Sequence, residues 1–177
     1  MKGTKAASRY AKALLDLAIE NNMVDQVAAD MKYLSEVSGE TKEFIVFLNS
    51  PVIKSDKKID VLNEIFGQFE ELTRRFVNLV TKNRRESLLP EIAHSFDAHV
   101  KEYKGIVPVT LISAVQLDGS TKDQILSKLN GMVKGQLEVT EKIDADLIGG
   151  FVVRMGDTQI DASVSRQLND LKQRLTR

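Results

Sequence analysis

The spacing of the apolar residues changes near Gly105, and this change limits what the chain can fold into more than any other feature of the sequence. Before Gly105 the apolar residues follow the three- and four-residue intervals of helices, as they do over residues 59–66. After it they alternate with a period of two over residues 106–115, which indicates a β-strand. Nine of the ten aromatic residues also precede Gly105. The 177 residues are therefore predicted to form two parts, residues 1–105 and residues 106–177.

The first part contains helix-breaking residues at five places, which divide it into six segments. The breaks lie at Asn21-Asn22, Ser38-Gly39, Asn49-Ser50-Pro51, Gly67 and Pro90. Segments of about 8 to 16 residues are too short to be stable helices in isolation, so they must pack on one another. The sequence predicts a six-helix bundle over residues 1–105.

The second part mixes strand and helix patterns. A strand over residues 106–115 is followed by a helix in which Thr121 and Gln124 fit a capping box. Its apolar face is formed by Ile125, Leu129, Met132 and Val133. Strands are predicted over residues 139–143 and 148–155, with a hairpin turn at Gly156-Asp157. The last helix has one narrow apolar seam, typical of a helix that packs against a single surface, formed by Val164, Leu168, Leu171 and Leu175. The predicted fold class is mostly α, a six-helix bundle followed by a smaller α/β domain.

Composition excludes several classes of function. The 25 basic and 25 acidic side chains cancel, so no overall charge attracts nucleic acid or an anionic membrane. The chain has no Cys and only two His, which leaves little for thiolate chemistry or a histidine metal site. Its longest apolar stretch, residues 147–153, is far shorter than the ~20 residues that span a bilayer. Residues 1–15 lack the apolar core of a secretory signal, so we expect a cytoplasmic protein that begins at or near Met1.

No group of residues predicts catalysis. The glycines over residues 149–156 lack the spacing and the lysine of a phosphate-binding loop. His94 and His99 would point about 140° apart on a helix and cannot share a metal ion there. Asp144 and Asp146 would share one face of an extended segment, but without a third acidic ligand they are better interpreted as turn residues. We therefore predict no catalytic, cofactor-binding or metal-binding residues.

A basic group between Arg74 and Arg85 leaves a second class of function open. These side chains could contact phosphates, although acidic residues interleave with them and a solvated helix face is the default interpretation. A helical-bundle adaptor or a nucleic-acid-binding protein is therefore the alternative function. The neutral overall charge counts against it, and an enzyme ranks third because the sequence offers no nucleophile or base.

The first predicted helix carries more apolar surface than a peripheral helix of a small bundle needs. Its polar residues fall within an arc of about 120°, whereas an apolar arc of ~100° is enough to reach a core. Two interpretations stay open. This segment is the central helix of the bundle, or part of its alanine-rich face lines a groove for a partner helix.

Two segments carry a resemblance to a known family. Residues 7–14 read Ala-Ser-Arg-Tyr-Ala-Lys-Ala-Leu. The more specific segment, residues 147–156, reads Leu-Ile-Gly-Gly-Phe-Val-Val-Arg-Met-Gly and is followed by Ile-Asp-Ala-Ser-Val at residues 160–164. Together these segments resemble the delta subunit of bacterial F-type ATP synthases, which is equivalent to the mitochondrial oligomycin-sensitivity-conferring subunit. The resemblance covers the whole chain.

The resemblance implies a protein without catalytic activity that connects other subunits. Residues 1–105 are implied to bind the N-terminal helix of an alpha subunit on the catalytic head, and residues 106–177 to bind the b subunits of the peripheral stalk. One copy would act in a hetero-oligomeric complex at the cytoplasmic face of the bacterial cell membrane. There it would belong to the stator that stops the head from turning with the rotor of a proton-translocating ATP synthase.

The resemblance also implies which residues bind the alpha subunit. A groove between the first and fifth helices would contain Tyr10, Ala11, Ala13, Leu14, Leu17, Phe76, Leu79, Val80 and Asn83. The three-four spacing of the fifth-helix residues means that some of them must face the core instead. We expect Leu14→Asp to abolish binding of the alpha-subunit helix and to leave the bundle folded.

The family motif of the second part has two kinds of residue. Its members are Gly149, Gly150, Arg154, Asp157 and Asp161. The two glycines are expected to allow close backbone packing or a bend in a strand. The charged residues are expected either to contact the stalk or to cap turns and the last helix, and capping is favoured for Asp161.

Overall fold

The computed structural model describes residues 4–115, 118–131, 135–156 and 158–175. The chain forms two compact units that divide between Val100 and Lys101. This division lies in the last helical turn before the predicted boundary at residue 105. Helices make up the first unit, and a four-stranded sheet with helices makes up most of the second. The predicted fold class is confirmed.

Six α-helices are present over the part of the first 105 residues that the structure describes, as predicted. They are α1 (Lys5–Glu20), α2 (Val24–Glu40), α3 (Lys42–Asn49), α4 (Ser55–Ile65), α5 (Glu71–Lys82) and α6 (Leu89–Tyr103). A single 3-10 turn, Glu86–Leu88, precedes α6. The last residues of α6 belong to the second unit.

Two of the predicted helix breaks lie just inside a helix, within two residues of its end. Gly39 lies inside α2 and has open space around it, and a glycine in a helix interior costs only about 1 kcal/mol relative to alanine. The helix ends at Glu40, and the backbone of Thr41 after it is extended. Pro90 is the second residue of α6, where a missing backbone N–H breaks no hydrogen bond of the helix. A glycine or proline in the sequence therefore predicts the position of a helix end only to within a few residues.

The core of the helical unit receives apolar side chains from all six helices. Phe66 stacks on Phe69 with the ring centroids 4.6 Å apart, and it meets Phe44 edge to face at 5.8 Å. The alanines at positions 7, 11 and 18 are fully buried, so the neighbouring helices approach α1 closely along that face. This packing is the tertiary contact that such short helices need in order to be stable.

The second unit is built on a mixed sheet with the strand order β2-β1-β3-β4. Its elements are β1 (Ile106–Ser113), α7 (Gly119–Asn130), β2 (Gln136–Ile143), β3 (Gly150–Met155), β4 (Thr158–Ser163) and α8 (Val164–Leu175). β1 and β2 are parallel and are joined by α7, whereas β3 is antiparallel to both β1 and β4. Ile125 and Leu129 of α7 pack against the face of the sheet that carries Val109, Leu111 and Val153.

The start of α7 differs from the prediction. Asp118 is the N-cap, because its side chain accepts a hydrogen bond from the backbone N–H of Thr121 at 3.3 Å. Thr121 therefore lies inside the helix and does not begin a capping box. An aspartate at this position satisfies an N–H group of the first turn as well as a threonine would. Met132 and Val133, predicted to extend the apolar face of α7, lie outside the described residues.

The hairpin between β3 and β4 is confirmed. Met155 pairs with Thr158, which leaves two residues in the turn. Gly156 has a φ of 55°, the left-handed conformation that such two-residue turns require and that glycine adopts without strain. Asp157, the other turn residue, lies outside the described residues.

Candidate functional site

Helices α1 and α5 meet through two aromatic side chains. The ring of Tyr10 packs edge to face against Phe76 with the centroids 6.3 Å apart. Beside this contact, Leu17 on α1 is 43% exposed and Leu79 on α5 is 53% exposed. We call Tyr10, Ala13, Leu17, Leu79 and Asn83 the α1–α5 surface, because all of them are exposed or half-buried. This surface presents apolar side chains next to the contact between Tyr10 and Phe76.

Four of the nine residues assigned to the groove belong to the core instead. Ala11, Leu14 and Val80 are fully buried, and Phe76 is almost so. These side chains lie in the core beneath the α1–α5 surface. A partner could contact them only if the bundle opened. The expectation that Leu14→Asp leaves the bundle folded is wrong, because the new carboxylate would have no access to water.

Arg85 lies at the end of the α1–α5 surface, and sequence reasoning did not single it out for this place. The central carbon of its guanidinium group is 5.7 Å from the centroid of the Tyr10 ring, which is cation–π distance. The two residues are far apart in the chain, and no local pattern relates them. Only their positions in the folded bundle show that Arg85 belongs to this surface.

The apolar seam of α8 is exposed. Leu168 is 55% exposed and Leu171 is 54% exposed, and Val164 is also more than one-third exposed. The seam was predicted to pack against a surface, yet the described residues of the second unit leave much of it uncovered. The side chain of Leu175, the fourth predicted member, is outside the described residues. Apolar side chains aligned on one face of a helix are typical of a contact with another helix.

The backbone requires a glycine at position 150 of the C-terminal motif, and Gly149 packs closely against a side chain. Gly150 has a φ of 80°, and a Cβ atom at this position would lie 2.4 Å from the backbone oxygen of Ala162. A Cβ atom on Gly149 would lie 3.2 Å from Cγ2 of Val164, at the start of α8. Both glycines therefore let β3 begin close to the junction of β4 and α8. Close packing is one of the two roles expected for these glycines, the other being a bend in the strand.

Ser163 caps the start of α8, and Asp161 in turn binds the backbone N–H of Ser163. Its Oδ1 accepts a hydrogen bond from the backbone N–H of Ser163 at 2.9 Å, and Ser163 Oγ accepts one from the N–H of Arg166 at 3.3 Å. Hydrogen bonds from the Ser163 side chain and backbone, with a smaller effect from the charge of Arg166, lower the pKa of Asp161. These bonds satisfy N–H groups that a helix start leaves unpaired.

Arg154 and Asp157 complete the motif. The Arg154 Nε donates a hydrogen bond to Oε1 of Gln159 at 3.1 Å, across the β3–β4 pair, and the Arg154 side chain is exposed. It is therefore placed to stabilise the hairpin and remains accessible from outside. Asp157 was expected to contact the stalk or to cap a turn, and it lies outside the described residues.

A buried ion pair holds together three segments of the helical unit. Lys58 of α4 is only 2% exposed, and its Nζ donates hydrogen bonds to the backbone oxygen of Leu48 at 2.7 Å and to Glu86 Oε1 at 2.6 Å. Both charged residues line a cavity of about 710 Å³ that does not include the residues of the α1–α5 surface. Lys58 lies four residues before the buried Leu62, on the apolar face of α4. This position was the signal from which its burial could have been predicted.

Two of the remaining candidates from the sequence, His99 and Asp144, have structural partners. His99 Nε2 lies 3.1 Å from Ser8 Oγ, and Asp144 Oδ1 accepts a hydrogen bond from the backbone N–H of Asp146, which is typical of a turn. Within residues 4–115, 118–131, 135–156 and 158–175, no cluster of His, Asp and Glu side chains could hold a metal ion. None of the helices in these ranges is both long and apolar enough to span a bilayer.

Comparison with known proteins gives full-length matches. The sequence profile of the ATP synthase delta (OSCP) subunit matches residues 6–175. The ATP synthase subunit delta of Christiangramia forsetii is 37% identical over 175 residues, covering 99% of this chain and 95% of that protein. That of Cytophaga hutchinsonii is 36% identical over 181 residues, covering 99% of this chain and 97% of that protein.

A solved structure shares the fold. A chain in the cryo-EM structure of the Toxoplasma gondii mitochondrial ATP synthase hexamer superposes with a TM-score of 0.74 at 24% identity, and the match covers 97% of each chain. The profile match and the bacterial relatives extend over both the helical unit and the sheet unit. The chain therefore belongs to the ATP synthase delta (OSCP) subunit family, the peripheral-stalk subunits of F-type ATP synthases.

Proposed function

We propose that this chain is a non-catalytic connector within the ATP synthase stator. Its helical unit binds the N-terminal helix of an alpha subunit, and its sheet unit binds the ends of the b subunits. One copy acts in the complex, on the cytoplasmic side of the bacterial cell membrane. The connector resists the torque that rotation exerts on the catalytic head. Its contacts with the alpha subunit and with the b subunits must therefore dissociate slowly.

The observation that carries this proposal is the presence of uncovered apolar surface on each of the two units. The α1–α5 surface exposes Leu17 and Leu79 beside Tyr10, and the α8 seam exposes Leu168 and Leu171. Apolar stripes of this kind fit amphipathic helices, which bind by burying side chains at three- and four-residue intervals. Each buried leucine contributes about 1.5–3 kcal/mol without a charge or a metal ion. Two such contacts suit a protein that links two partners.

The alternative of a nucleic-acid-binding protein receives less support from the structure. Arg75 forms an ion pair with Glu71 on its own helix, and the Arg85 guanidinium lies over Tyr10. These contacts engage part of the basic group that would have to meet phosphates. Nucleic-acid binding with a steep salt dependence would be needed to restore this alternative.

Leu79→Asp tests the contact with the alpha subunit. The full chain and a peptide with the N-terminal helix of the alpha subunit from the same organism are mixed in isothermal titration calorimetry. Burial of one leucine is worth about 1.5–3 kcal/mol, so the affinity should fall by about 10- to 100-fold. Val46→Asp is the matched control, because Val46 is an exposed apolar residue on α3 outside this surface. Equal affinity of Leu79→Asp and Val46→Asp would remove the α1–α5 surface from the proposal.

Leu168→Asp tests the contact with the peripheral stalk. Co-purification of the full chain with the C-terminal half of the b subunit should be lost, because a carboxylate replaces a leucine at the centre of the α8 seam. Gln167→Asp adds the same charge at an exposed neighbouring position of α8 and should co-purify normally. Loss of the b subunit from both variants would point to charge repulsion in place of an apolar contact.

A further inference from the structure

The guanidinium group of Arg85 is held in place on one side and open on the other. Its central carbon lies 5.7 Å from the centroid of the Tyr10 ring, and Tyr10 is itself fixed against Phe76. A guanidinium in a cation–π contact keeps the N–H groups at the edge that faces away from the ring available, and the Arg85 side chain is exposed. Among the residues that the structure describes, no carboxylate pairs with this edge.

The backbone that positions Arg85 adopts an unfavourable conformation. Arg84 has a φ of 56°, and the N–H of Arg85 donates to the backbone oxygen of Val80 at 3.0 Å, which closes a Schellman motif at the end of α5. The corresponding residue after α1 is Asn22, with a φ of 54°. Glycine and asparagine adopt this conformation readily, whereas other L-residues are disfavoured there by about 1–2 kcal/mol. Strained residues of this kind often mark functional positions.

Arg85 gives this end of the α1–α5 surface a positive charge. Arg85 is exposed and lies over Tyr10 next to the apolar area formed by Leu17 and Leu79, whereas Lys82 and Arg84 line the separate cavity that contains Lys58 and Glu86. A partner helix that covers the apolar area would therefore bring one of its ends close to the Arg85 guanidinium. An acidic residue is the complement of such a site, and arginine binds a carboxylate through two parallel hydrogen bonds.

We propose that Arg85 recognises a carboxylate of the helix that docks on the α1–α5 surface and thereby fixes the register of that helix. This inference rests on the proposed function, because it takes the N-terminal helix of the alpha subunit as the occupant. Apolar contacts alone permit a helix to slide by one turn or to bind in either direction. A bidentate ion pair at one end of the surface allows only one placement, and it adds specificity to an affinity that comes from the leucines.

The test combines variants of the chain with variants of the partner peptide. Binding of the full chain to the alpha-subunit N-terminal peptide is measured by calorimetry at low and at high ionic strength. Arg85→Gln should weaken binding by about tenfold at low ionic strength, and the loss should shrink at high ionic strength as screening increases. Arg85→Lys should bind with intermediate affinity, because lysine keeps the charge but cannot form two parallel hydrogen bonds. Arg74→Gln, which removes an exposed arginine elsewhere on α5, should bind like the wild type.

A double-mutant cycle then identifies the carboxylate. Each Asp and Glu of the peptide is replaced in turn by its amide, and one replacement should cause the same loss as Arg85→Gln with no further loss when the two are combined. Equal affinity of Arg85→Gln and the wild type would overturn this inference and leave the proposed function intact. Equal small losses from every amide replacement would also overturn it, since they indicate unspecific attraction. If the folded wild-type chain binds no peptide, the proposed function fails and this inference fails with it.

Discussion

Lys58→Met is expected to lower the free energy of unfolding of the helical unit by about 3–5 kcal/mol. The substitution keeps most of the volume of the side chain but removes its charge and its three N–H donors. The Glu86 carboxylate would then stay buried without a cation, and the backbone oxygen of Leu48 would lose its donor. The Oε2 atom of Glu86 accepts no hydrogen bond from the described residues, so these residues supply no second donor that would offset the loss.

The measurement is urea denaturation followed by far-UV circular dichroism. Lys57→Met is the matched control, because Lys57 is the neighbouring lysine on α4 and is exposed. It should leave the unfolding midpoint nearly unchanged. The double variant Lys58→Met with Glu86→Leu should recover most of the lost stability, since an apolar pair can replace a buried ion pair at little cost. Similar midpoints for Lys58→Met and Lys57→Met would show that the buried ion pair does not hold the three segments together.

Leu14→Asp is expected to unfold the helical unit at neutral pH. Leu14 is fully buried. Loss of a buried leucine costs about 2–5 kcal/mol, and an ionised carboxylate without a partner adds several more. The sum is comparable to the entire stability of a typical domain, about 5–15 kcal/mol. We therefore expect this variant to lose its helical signal in far-UV circular dichroism. Any loss of binding would then result from unfolding.

Leu17→Asp is the matched comparison on the same helix. Leu17 lies three residues further along α1 and is 43% exposed, so an aspartate there can remain hydrated. This variant should keep the circular dichroism spectrum of the wild type and lose affinity for the alpha-subunit peptide. A folded Leu14→Asp variant would contradict the assignment of Leu14 to the core. Together the two variants separate the residues that build the bundle from those that bind a partner.

Secondary structure could be predicted because it depends on local patterns. The helical period before Gly105 and the alternation after it predicted the six helices and β1, since neighbouring residues determine which face of an element is apolar. The hairpin at Gly156 followed from the same kind of local information. The breaks at Gly39 and Pro90 were displaced by one or two residues from the actual helix ends, because a breaker residue is tolerated in the first or last turn of a helix where its local cost is small.

The residues of the candidate site could be predicted only in part. The wide apolar arc of α1 indicated that some of its surface would exceed the needs of the core, but an arc does not reveal which portion neighbouring helices cover. The structure assigns Leu14 to the core and leaves Leu17 exposed, although both belong to the same apolar face. That choice depends on the positions of the other helices, which the period of a single helix does not contain.

The sequence by itself determined the types of the elements, the two-part organisation and the family to which the chain belongs. Only the tertiary structure decided that Lys58 is buried against Glu86, 28 residues away, and that Arg85 lies over Tyr10. The physical reason is that periodicity records the preferences of neighbouring residues. Burial and ion pairing depend on contacts between residues that are distant in the chain, and these contacts exist only once the helices have packed.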